Sequence, residues 1–260
     1  MMMYKLLPKS NTPIYDDFPF RPEMISNDLP PQEFLKEAIF AAGSFWELET
    51  AFGRVDGVVR TAVGYYGGNL VKPSYKEVSS EGSTGHTEAV KVIYDTRNTS
   101  YKTLCKVFWA SHDPTKKEYL KFGVHTHYRS AIFYEDEEEK KQAQQSKVKQ
   151  QMKLNRRIVT KILPCHSINI SGFYLAESHH QKYYLQRSHI RLCECLSLRS
   201  AEQLADSHLA CKLNGILGGD EKTAVEGLQR FAGRYQLPDE TKFVLETIIQ
   251  ELRVKQALEE

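Results

Sequence analysis

The sequence predicts an α+β protein: a two-layer α/β sandwich followed by a C-terminal helical extension. Three observations lead there. Short runs rich in Val, Tyr, Ile and Phe alternate with helical apolar spacings from about residue 35 to residue 195. None of these strand candidates runs into a Gly-x-Gly-x-x-Gly turn, so a doubly wound nucleotide-binding sheet is set aside in favour of a two-layer, ferredoxin-like core. From Leu198 onward every periodic segment is helical. The expected organisation is an extended N-terminal lead over 1–34, a sandwich domain over 35–195 and a helical extension over 196–260.

The lead carries Pro8, Pro13, Pro19, Pro22, Pro30 and Pro31, which favour extended chain. Glu37–Gly43 reads as a buried strand ending in Gly, with Ser44 at a helix N-cap and Phe45–Phe52 as the helix. Val58–Tyr65 and Glu88–Tyr94 read as strands. Ser100–Ala110 has helical spacing at Leu104, Val107 and Phe108. Ser130–Tyr134 is a strand, Glu135–Asn155 a long charged helix with a solvated face, Ile158–Leu163 a strand and Glu177–Gln186 a helix. In the extension, Ala201–Leu213 is expected to end at an Asn214-Gly215 cap, followed by helices over Glu221–Phe231 and Glu240–Leu258.

Composition narrows the function classes. With 35 basic and 33 acidic residues the net charge is +2, so no long-range field points to nucleic acid or an anionic membrane. No apolar run approaches the ~18–20 residues that span a bilayer. The Met1–Lys9 segment is too short for a signal h-region, and a cytoplasmic monomer is expected. Five cysteines, Cys105, Cys165, Cys193, Cys195 and Cys211, do not suggest a disulfide framework. Cys193-Glu194-Cys195 reads as two unrelated thiols, since C-x-C is not a strong metal spacing.

The chemistry-bearing residues cluster in motifs. Gly43-Ser44-Phe45-Trp46 is followed by Gly64-Tyr65-Tyr66-Gly67-Gly68, by Tyr75-Lys76-Glu77-Val78 and by Gly85-His86-Thr87-Glu88-Ala89-Val90. Further on come Phe108-Trp109, His112-Asp113-Pro114, Tyr128-Arg129-Ser130 and Ala176-Glu177 with His180-Gln181. In this order, over about residues 37–187, the chain resembles the type A methionine sulfoxide reductases. Their Gly-Cys-Phe-Trp stands here as Gly-Ser-Phe-Trp, a variant similar to the plant branch of that family.

The resemblance implies a peptide-methionine (S)-S-oxide reductase that repairs oxidised proteins. It carries no bound cofactor and no metal, and takes electrons from thioredoxin or small thiols. Ser44 then occupies the nucleophile position, Glu88 is the proton donor, Tyr75 and Tyr128 hold the sulfoxide oxygen, and Phe45 with Trp46 receives the substrate methyl. The family's aspartate a few residues before the position of Tyr128 is absent from Phe122–His127, where His125 and His127 are the candidate substitutes. The family's glycine-rich tail with resolving cysteines is absent as well.

Serine changes the chemistry. A thiolate attacking a sulfoxide ends as a sulfenic acid, which thiols reduce; a serine would have to end as a hydroperoxide, so Ser44 cannot run that cycle. Three explanations stay open: a natural variant, a cysteine replaced by design, or a thiol supplied by Cys165, Cys193 or Cys195. The alternative function is a catalytically impaired protein that binds methionine sulfoxide without turnover.

Overall fold

The computed structural model describes residues 29–80, 84–116, 127–166 and 172–259. A short 3-10 turn over Gln32–Phe34 leads into β1 (Leu35–Ala42), whose inner half is continuously buried. Gly43 turns the chain at φ 83°, a left-handed conformation that favours glycine, and α1 (Phe45–Gly53) begins two residues later. The order continues β2 (Val58–Tyr66), α2 (Tyr75–Ser79), β3 (Thr87–Asp95), α3 (Tyr101–Ala110), β4 (Ser130–Tyr134), α4 (Glu137–Gln151), β5 (Lys161–Pro164) and β6 (Tyr174–Leu175).

These strands form one six-stranded sheet in the order β5-β4-β1-β3-β2-β6. All neighbours are antiparallel except β4 and β5. Alternation sorts the two faces. Phe40, Val63, Tyr65, Val90, Val92 and Ile132 point to the face covered by α1 and α3, where Leu48, Phe52, Leu104 and Phe108 complete the main core. Ile39, Ala41, Tyr66, Ala131 and Phe133 form a thinner apolar layer on the other face. The mixed α+β fold, with helices following the sheet, is the one expected from sequence.

The remaining helices are α5 (Tyr183–Cys195), α6 (Ala201–Asp206), α7 (His208–Leu217), α8 (Glu221–Arg234) and α9 (Asp239–Glu259). They enclose a second apolar cluster containing Leu185, Leu192, Leu204, Leu213, Leu228, Phe231 and Leu245. Helix α7 also lies against α1, where glycine meets glycine: a Cβ on Gly215 would come within 2.7 Å of the Gly53 backbone. The two clusters are joined by a buried polar knot. The Lys182 ammonium donates to Glu49 Oε1 and to the Thr61 carbonyl, both at 2.7 Å, and both ionised side chains are fully buried. Asn214 on α7 adds its amide to Glu49 and accepts from the Leu185 N–H.

Three expectations need correction. The helix expected over Glu177–Gln186 is a 3-10 turn at Ser178–His180, with α5 starting only at Tyr183. The Gln181 side chain pairs with both backbone groups of Val63, and Lys182 adopts a left-handed φ of 48°, so tertiary bonds override helical spacing. The single helix over Ala201–Leu213 is broken at Ser207, whose backbone is extended and whose hydroxyl caps α7 by accepting from the Ala210 N–H. Asn214-Gly215 does not cap it: both residues stay inside α7, packed against α5 and α1. Among the described residues no helix is long and apolar enough to cross a membrane.

Candidate active site

The site lies where the C-terminal end of β1 meets the start of α1. Ser44 occupies the N-cap position but makes no capping bond, so its hydroxyl is half-buried and uncommitted to the helix. The first N–H of α1 is satisfied from another strand, since Phe45 donates to Glu88 Oε2 at 3.1 Å. Strand pairing sets Glu88 directly beside Tyr65 on the helix-covered face. Its own N–H donates to the His127 carbonyl at 2.8 Å, which draws the segment carrying Tyr128 to the same place.

Glu88 is 2% exposed. Burial pushes its carboxyl up to about 8, against the opposing pull of the Phe45 N–H, so it is largely protonated at neutral pH. A second carboxyl nearby is driven the other way. Burial works to raise Glu177, but the Tyr65 hydroxyl at 2.6 Å and the Tyr75 N–H at 2.9 Å outweigh it and hold the group below its usual range. The two carboxyls carry opposed shifts, one held neutral and the other held as an anion.

The phenols and rings close around this pair. Burial, the Glu88 charge and the adjoining Tyr75 phenol raise Tyr128, which is 37% exposed. Tyr75 begins α2 behind a capping box made by Ser74 and Glu77, and its ring lies 4.7 Å from that of His180. Phe45 and Trp46 lie 5.3 and 5.7 Å from the same imidazole. Trp46 is half-buried and stacks on Tyr183 at 3.8 Å, whereas Phe45 is 1% exposed and also packs in the core. Burial lowers His180 to about 4, so the ring is neutral, and neither of its nitrogens has a hydrogen-bond partner among the described residues.

Ser44, Phe45, Trp46, Tyr75, Glu88 and Tyr128, read from six dispersed positions, thus converge on one end of the sheet. Four more participants carried no role in the sequence reading: Tyr65, Glu177, His180 and Tyr183. Their signal was the motif context around Gly64-Tyr65 and Glu177 to Gln181, without any spacing that told ring from ring. His127 contributes its backbone carbonyl; His125 and the position of the missing aspartate lie outside the described residues.

The chain matches the family model described as peptide methionine sulfoxide reductase over residues 36–213. It belongs to the peptide methionine sulfoxide reductase family. A peptide methionine sulfoxide reductase MsrA of Methanosarcina acetivorans is 46% identical over 163 residues, covering 62% of this chain and 84% of that protein. The chloroplastic peptide methionine sulfoxide reductase A4 of Arabidopsis thaliana is 44% identical over 157 residues, 60% of this chain and 58% of that one. Among solved structures, methionine sulfoxide reductase A of Corynebacterium diphtheriae aligns with a TM-score of 0.53 at 34% identity, covering 62% of this chain and 78% of that chain. Reduced Mxr1 of Saccharomyces cerevisiae aligns with a TM-score of 0.52 at 30% identity, covering 61% and 88%. The chain is therefore a peptide methionine sulfoxide reductase-type protein. The family match ends at Leu213 inside α7, and α8 and α9 lie beyond it.

The five cysteines of this reductase-type chain are all free. Cys165 packs on the opposite sheet face, where β5 leaves the far end of β4. Cys193 and Cys195 end α5, beyond a kink at His189 and ten and twelve residues after the Tyr183 that stacks on Trp46. Burial raises Cys105, Cys165 and Cys193 to about 12. None of these three is a ready thiolate at neutral pH.

Proposed function

We propose that this site binds the methionine-S-sulfoxide side chain of oxidised proteins and activates it for reduction by a thiol from outside the chain. The observation that carries the reading is the Glu88 carboxyl, kept protonated beside the start of α1. In this reading the methyl group rests on Trp46 and the edge of Phe45, and the sulfoxide oxygen lies between Glu88, Tyr75 and Tyr128. Glu88 gives its proton to the oxygen as a thiolate attacks the sulfur. A second thiol then takes the first as a disulfide, releasing thioether and water: one sulfoxide and two thiols become one thioether, one disulfide and one water. Thioredoxin or a small thiol is the proposed reductant, and the cytoplasm, where five free thiols stay reduced, is the proposed location. The chain acts as a monomer in this proposal.

The second reading is a sulfoxide-binding protein without turnover, and Ser44 with no thiol at hand favours it. One assay separates them: a methionine-S-sulfoxide peptide with dithiothreitol, comparing the native chain with Ser44→Cys. Reduction by both chains supports the first reading, with Ser44→Cys faster because a helix N-terminus favours the thiolate. Reduction by Ser44→Cys alone supports the second. If neither chain binds the peptide, both readings fall. The R epimer is expected to remain unreduced, because methyl and oxygen are held in one handed arrangement.

A further inference from the structure

Glu177 follows β6, the two-residue edge strand that pairs with β2, and stands at the N-cap of the Ser178–His180 turn without capping it. Its two oxygens are committed elsewhere. Oε2 accepts from the Tyr65 hydroxyl at 2.6 Å, and Oε1 accepts from the Tyr75 N–H at 2.9 Å. One carboxylate thus ties together a residue of β2 and the first residue of α2, 112 and 102 positions away along the chain. The third group that faces it is His180, whose Nε2 lies 4.0 Å away and whose ring is neutral.

Each bond bears on the candidate site. Helix α2 has only five residues, and the N–H at its first position has no acceptor within the helix. Glu177 supplies one, which fixes the start of α2 and with it the Tyr75 phenol that adjoins Tyr128. Tyr65 is fully buried and stands across the strands from Glu88, whose charge is among the causes that raise its phenol. A phenol has one proton to donate. Because Glu177 takes it, none is left to stabilise a carboxylate at Glu88. We infer that Glu177 is a positioning residue of this site: it draws the Tyr65 proton away from Glu88 and anchors the Tyr75 end of α2, so that Glu88, Tyr75 and Tyr128 face a ligand oxygen as donors. What that oxygen belongs to rests on the proposed function.

Glu177→Gln separates this role from a simple staple. The amide is isosteric and its side chain is 39% exposed, so the variant is expected to fold, which circular dichroism checks. Its oxygen can keep the Tyr75 N–H, but its N–H2 then meets the Tyr65 oxygen and releases the phenol proton. Carboxyl 13C NMR of glutamate-labelled native chain, with the Glu88 signal assigned by its loss in Glu88→Gln, should show Glu88 titrating at about 8. Glu177→Gln should lower that midpoint by about one pH unit, whereas Glu177→Asp, an acceptor only, should leave it close to the native value. In the Ser44→Cys chain, adding Glu177→Gln should lower kcat for a methionine-S-sulfoxide peptide about fivefold at pH 8 and little at pH 6, with KM nearly unchanged. An unmoved Glu88 titration in Glu177→Gln, a shift as large in Glu177→Asp, or an equal loss of kcat at both pH values would each overturn the inference. If Ser44→Cys reduces nothing while the Glu88 midpoint falls as stated, the proposed function fails and the positioning role of Glu177 stands.

Discussion

Among the described residues the Glu88 carboxyl accepts one hydrogen bond, from the Phe45 N–H, and the residue is 2% exposed. The folded chain therefore holds its proton up to about pH 8, whereas the unfolded chain releases it near the ordinary glutamate value. Between those limits the folded state binds more protons, so its stability falls as pH rises. Glu88→Gln removes that dependence. Denaturant melts should show the variant gaining on the native chain by ~1–3 kcal/mol from pH 5 to pH 8. Activity points the same way: any sulfoxide reduction by Ser44→Cys should decline as pH rises through about 8, and Glu88→Gln should abolish it. Glu88 was legible as a candidate only through its Gly-His frame, because isolation from water is a property of three strands and a helix brought together. Tyr65 and Glu177 were not legible as partners, since 112 residues separate them and their bond exists only after β6 pairs with β2.

Among the elements, strands were the most legible. Val58–Tyr66 and Ser130–Tyr134 are runs of β-branched, aromatic and small residues whose pattern survives any tertiary setting. Helix ends were less so. The caps at Ser200, Ser207 and Asp220 act locally through their own side chains, yet Ser207 interrupts a run that reads as one helix, and Asn214-Gly215 looks like a cap and serves as a contact. That difference can be measured. Gly215→Ala should gain about 1 kcal/mol of helix propensity, but its Cβ would press on the Gly53 backbone, which no rotamer can relieve. A net loss of ~1–3 kcal/mol is expected from overpacking, read by urea denaturation. A net gain would mean that α7 can slide on α1.

At the scale of the molecule, the sandwich and the helical bundle share one buried ion pair. Lys182→Met strips the counter-charge from a fully buried Glu49 and should lower stability by about 3–5 kcal/mol. Glu49→Gln/Lys182→Met removes both charges, keeps one acceptor oxygen for the position-182 N–H and turns an amide N–H toward the Thr61 hydroxyl, which can accept, and should recover most of the loss. Because α1, β2, α5 and α7 all bond to this knot, amide exchange in α7 and in β2 should accelerate together in Lys182→Met. Separate responses would show that the two parts open independently.

Trp46 lies face to face with Tyr183 at an interplanar angle of 5°, and Trp109 sits in the sandwich interior with its indole N–H on Ser146. These are the chain's two tryptophans. Its tryptophan emission therefore comes from two separate places: one inside the sandwich, the other on the seam between candidate site and helical bundle. Replacing Trp109 with phenylalanine silences the interior source. The remaining tryptophan reports in real time when α5 lifts away from it and, in the proposed function, when a sulfoxide settles on its ring.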